Sequence, residues 1–140
     1  MTMKQLLLIA LLLVSAPAFM GTSCKRVATN SDPCAGVMCT MMFAMITVQV
    51  TDADGIPVKL DEAYTVRNGN GATITVEQHM TDGRYTVLDD SYQNELSNKT
   101  DDFRFVGIKN GIRVVDEPYT LGADCCHVRK ENGRDTIIVK

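Results

Sequence analysis

The placement of five cysteines constrains this chain more than any other feature. Cys125 and Cys126 are adjacent near the C-terminal end, while Cys24, Cys34 and Cys39 lie near the N-terminal end. A vicinal bridge between Cys125 and Cys126 would push the backbone out of ordinary disulfide geometry. Neighbouring residues of a strand point to opposite faces. Pairing Cys125 and Cys126 with Cys34 and Cys39 therefore predicts one bridge on each side of a single strand, in either order. Each bridge closes a loop of roughly 90 residues, worth about 4–5 kcal/mol in the chain-entropy model, and the second adds less than the first.

An odd cysteine in an exported chain needs its own explanation, and export is what the first residues predict. Lys4 is followed by the uninterrupted apolar run Leu6–Val14, and small residues Ser15, Ala16, Pro17 and Ala18 then break it. The run has no polar face and is too short for a stable membrane span, so it reads as a cleaved signal peptide. Two cleavage points fit, one after Ala18 and one before Cys24. Gly21-Thr22-Ser23-Cys24 resembles a bacterial lipobox, although Gly21 stands where Leu is usual, and the Ser-Cys-Lys junction is similar to lipoproteins of the Bacteroidota. The resemblance implies lipidation of Cys24, which leaves an even set of four cysteines for disulfides. Acyl chains add about 0.8 kcal/mol per buried methylene, enough to hold a domain at a membrane. The expected organisation is a signal peptide over 1–23, a polar tether over 24–33 and one domain over 34–140.

The domain sequence predicts an all-β fold. Ile46–Thr51 alternates apolar and polar residues, as a half-buried strand does. Turn residues Asp52-Ala53-Asp54-Gly55 end it, and Val58–Leu60 resumes an extended pattern. Ala63–Arg67 and Ala72–Val76 flank Asn68-Gly69-Asn70-Gly71, and Arg84–Leu88 follows the turn Thr81-Asp82-Gly83. Asp89–Asp102 is polar and aperiodic and reads as the longest loop. Asn110-Gly111 and Asn132-Gly133 each separate two strand-like runs, which predicts two hairpins with positive-φ turns. Pro118 is expected to stop the strand that begins at Ile112. The total is seven to eight strands in a single two-sheet antiparallel sandwich, of the general kind seen in immunoglobulin-like folds.

Ile46–Asp52, Gly55-Ile56-Pro57-Val58 and Thr81–Val87 together resemble the carboxypeptidase regulatory-like and transthyretin-like sandwich domain. The likeness covers Ile46 to about Leu88. Its motifs specify turns, so it implies a fold and an accessory role on a secreted or surface protein, with no catalytic residues.

Chemistry is thin. A metal site of Cys, His127 and His79 around zinc or copper is the sharper alternative, but zinc sites pair cysteines two to four residues apart, unlike Cys125-Cys126 or Cys34–Cys39. Asp52-Ala53-Asp54-Gly55 resembles the start of a calcium loop, yet Ala63 stands where the bidentate Glu belongs. Met38, Met41, Met42 and Met45 offer soft thioethers to copper; as core filler they would pack the N-terminal arm under the sandwich. Asn98-Lys99-Thr100 is a formal glycosylation acceptor. No serine elbow or phosphate-binding loop is present. A formal net charge of −3 without a basic patch argues against nucleic acid.

The expectation is therefore a non-enzymatic lipoprotein of the bacterial cell envelope, at the outer membrane or surface, without cofactor or structural metal. It would contact the membrane through its anchor and a protein or glycan through loops or a sheet edge. The alternative is a periplasmic zinc- or copper-binding protein using Cys, His and Met.

Overall fold

A computed structural model describes residues 32–74, 76 and 82–140. The signal segment, Cys24, most of the tether, Thr75, His79 and Thr81 lie outside the described residues. Ser31–Lys140 forms one compact unit.

Eight strands follow in order: β1 (Met45–Thr51), β2 (Glu62–Arg67), β3 (Thr73–Ile74), β4 (Arg84–Asp89), β5 (Lys99–Lys109), β6 (Ile112–Ala123), β7 (Val128–Asn132) and β8 (Thr136–Ile138). They make two sheets, β4-β1-β8 and β3-β2-β5-β6-β7. The chain is an all-β two-sheet sandwich. Every ladder is antiparallel except β1–β8, which is parallel.

Alternation explains the core. Phe103 and Phe105 of β5 are buried while Arg104 between them is exposed, and Val115, Tyr119, Leu121 and Ala123 of β6 are buried at period two. Facing them stand Val48 and Val50 of β1, Tyr85 and Val87 of β4 and Ile137 of β8. Tyr85 is fully buried and needs partners for its hydroxyl. It donates to the Val58 carbonyl at 3.0 Å and accepts from the Leu60 N–H at 2.6 Å. That pair fastens 58–60 as an irregular connection, which lies outside the strands.

The calcium-like stretch is a turn. Asp52 Oδ1 accepts from the N–H groups of Asp54 and Ile56, at 3.0 and 2.9 Å, and Gly55 has φ +80°. Asn110 and Gly111, with φ of +52° and +73°, close the β5–β6 hairpin as expected.

Four local expectations are corrected. The 89–102 stretch is mostly ordered: a 3-10 turn over Asp90–Tyr92, a helical turn over Gln93–Leu96, and then β5, which starts at Lys99. Its polar start is paid back across strands, since Arg67 Nε donates to Asp101 at 2.6 Å and Thr120 Oγ1 donates to Asp102 at 2.9 Å. Pro118 does not end β6. It pairs with Arg104 of β5 at a point where the β7 ladder, which begins at Thr120, does not reach. Its missing N–H is tolerated on that free edge. Asn132-Gly133 is a crossover between the sheets: β7 pairs with β6, and β8 with β1. Finally, Cys125 and Cys126 lie in the 124–127 turn between β6 and β7, so the bridges do not straddle a strand.

Candidate functional site

The site is the end of the sandwich where the segment 32–44 is fastened to that turn. The turn itself is built by Asp124. Its Oδ1 accepts from the N–H groups of Cys126 and His127, at 2.7 and 2.8 Å. These backbone hydrogen bonds, His127 first, hold its carboxyl below the usual value. The chain thus reverses in four residues and presents both cysteines toward the arm. Cys34 is bridged to Cys125 and Cys39 to Cys126, with Cα atoms 5.2 and 5.3 Å apart. Asn98, in the left-handed region at φ +54°, donates through Nδ2 to Cys34 Sγ at 3.0 Å. The formal glycosylation acceptor therefore packs its amide on a disulfide.

The arm starts with a turn of its own. Asp32 Oδ1 accepts from Cys34 N–H at 2.9 Å, Ala35 and Val37 close backbone turns, and Gly36 has φ +81°. It ends on Asp90, whose Oδ2 accepts from Ala44 N–H at 2.7 Å and whose Oδ1 accepts from Val128 N–H at 2.8 Å. His127 Nδ1 meets the same Oδ2 at 2.8 Å, and His127 Nε2 meets Thr40 Oγ1 at 3.0 Å. Partial burial of the Asp90 carboxyl disfavours its charge. The hydrogen bonds from Ala44, His127 and Val128 outweigh that and hold it below its ordinary value.

Thr40, His127 and Asp90 stand in the order hydroxyl, imidazole, carboxylate, the connectivity that activates a nucleophile in acyl transfer. Its surroundings are those of a clamp. The N–H groups of Cys126 and His127 point at Asp124, and none of three surface clefts, of about 330, 230 and 340 Å³, is lined by Thr40, His127 or Asp90. With an ionised Asp90, His127 carries its proton on Nδ1 and accepts from Thr40 through Nε2.

The methionines do not fill the core. Met38, Met41 and Met42 are 95, 104 and 75% exposed, with Val37, Phe43 and Met45 exposed beside them. The arm is fastened by the two bridges and, at Ala44, by Asp90. All four domain cysteines are consumed in disulfides, which among the described residues leaves His127 and the thioethers of the ligands the metal reading needs. Among the described residues no group of three or more His, Cys, Asp or Glu gathers as metal ligands. No helix among them is long and apolar enough to cross a membrane. Asp89-Asp90, Asp101-Asp102 and Asp116-Glu117 do not converge on one another: Asp101 pairs with Arg67, and Asp116 with Arg104 and Arg113.

Sequence reasoning found the four cysteines. It missed Asp90, Thr40 and the contact of Asn98 with the disulfide. Each acts through a contact between residues 37 to 87 positions apart, which no local pattern encodes. The chain matches no protein-family model, no curated protein and no solved structure.

Proposed function

We propose that this chain is a non-enzymatic accessory protein of the cell envelope, exported and held to a membrane by lipid on Cys24. The proposed lipid anchor and the transthyretin-like kinship rest on the sequence motifs given above. The two disulfides agree with folding in an oxidising compartment. The observation that carries the functional reading is the arm: two bridges and the Asp90 clamp hold a strip of apolar side chains in water. Exposed apolar patches on small domains mark contact surfaces, and a rigid arm loses little freedom on contact. The edge strand β7 is a weaker candidate for a partner strand, because Arg129, Lys130 and Glu131 blunt it. Contacts with a protein or glycan then fall to the loops away from the arm, the β5–β6 hairpin first.

Envelope fractionation tests this. The wild-type chain should sediment with membranes and the Cys24→Ser chain should be released. Equal release of both would remove the anchor from the account.

A second reading, copper binding, is favoured by the exposed thioethers of Met38, Met41 and Met42, because soft ligands select Cu(I). Titration with Cu(I) against a competing chelator checks it. Retention by the wild type and loss in a Met→Leu triple variant would support it.

A further inference from the structure

We infer that the stapled arm, Val37–Met45, docks into the lipid bilayer itself and sets the orientation of the domain on the membrane. This deepens the anchored reading and rests on it. Nine large apolar side chains are exposed among the described residues, and six belong to this one arm: Val37, Met38, Met41, Met42, Phe43 and Met45. The other three, Ile56, Ile112 and Ile138, lie outside the arm.

The arm is also the first part of the domain to follow the anchor. Cys34 stands ten positions after Cys24, so the tether reaches about 35 Å at most and less in any realistic conformation. A domain so tethered keeps its arm within reach of the interface. Lys25 and Arg26 add attraction to anionic headgroups.

The form of the strip favours lipid over a protein groove. Met38 and Met41 are almost wholly exposed and stand off the surface as prongs. Flexible thioether prongs suit a deformable acyl boundary, where amphipathic elements settle roughly 5–10 Å deep. The bridges fasten the arm at Cys34 and Cys39 to the 124–127 turn, so it moves with the domain. Docking this end directs the β5–β6 hairpin away from the membrane. Its Ile112 is separated from Ala123, beside the bridges, by the length of β6, about 36 Å.

The chain contains no Trp, so one introduced Trp is an unambiguous reporter. Phe43→Trp marks the arm and Ile112→Trp the far pole; both positions are exposed, so neither substitution disturbs packing. Each full-length chain is purified with its own anchor and incorporated into vesicles of phosphatidylethanolamine and phosphatidylglycerol carrying brominated acyl chains. Phe43→Trp should lose about half its emission or more, as a side chain at the acyl boundary does, while Ile112→Trp should be unchanged. The same reporter in the Cys24→Ser chain, with excess vesicles, reads the arm without lipid, and quenching there supports docking independently of the anchor. An unquenched Phe43→Trp in both chains, the outcome if the arm serves a protein partner, overturns the inference. So does equal quenching at both poles. The acyl mass on Cys24, measured on the same samples, decides the anchor separately.

Discussion

Asp90 bears more of the site than any other side chain. It accepts hydrogen bonds from the arm, from the β7 backbone and from His127, with its side chain 11% exposed. Asp90→Ala leaves those donors without an acceptor and should cost about 2–3 kcal/mol in urea unfolding, the range for charge-assisted bonds. The pH dependence has a definite sign. Its folded value lies below the ordinary 3.8, so its contribution is present above that pH and is lost as the pH falls through the folded value. Acid unfolding of the wild type should therefore steepen below about pH 4, and Asp90→Asn should flatten that limb. Gly133 is the other sensitive position. It sits at φ +127° with the Tyr119 ring where a Cβ would go, and the Tyr119 hydroxyl donates to Arg134 O at 2.6 Å. Gly133→Ala should destabilise by more than about 1 kcal/mol, since strain at positive φ and overpacking act together. Thermal unfolding checks it.

The bridges are coupled elements. With one in place, the second closes only the few residues between Cys34 and Cys39 and between Cys125 and Cys126. Replacing either pair with alanine should thus cost about 2–3 kcal/mol, and replacing both about 7 kcal/mol. Denaturant midpoints of the three variants test that inequality.

Legibility also divides by element. Asn110-Gly111 announced its hairpin because its turn chemistry is local and both neighbours belong to one sheet. Asn132-Gly133 carries the same dipeptide but joins strands of different sheets, and only the partners of β7 and β8 distinguish the two. The polar start of β5 was unreadable as strand because Asp101 and Asp102 are satisfied by Arg67 and Thr120 on neighbouring strands. The sequence leaves the arm's methionines open between core filler and copper ligands, and the structure exposes Met38, Met41, Met42 and Met45. They are exposed on an arm held by two bridges and a carboxylate clamp whose partners sit far along the chain.

At the scale of the whole molecule, an exported sandwich ties its N-terminal arm to the turn between two late strands and displays that arm in water. The four bridging cysteines and the strand count were in the sequence; the rigid apolar end they create was not. The central claim is a lipid-anchored, doubly bridged domain. Intact mass of the chain expressed from its own signal in a bacterial host, before and after reduction, tests it most directly. A mature chain beginning at Cys24, heavier by its acyl groups and gaining four hydrogens on reduction, is the predicted result, two hydrogens for each of two disulfides. A chain beginning near Phe19 without lipid would contradict the anchor, and no gain on reduction would contradict the stapled arm.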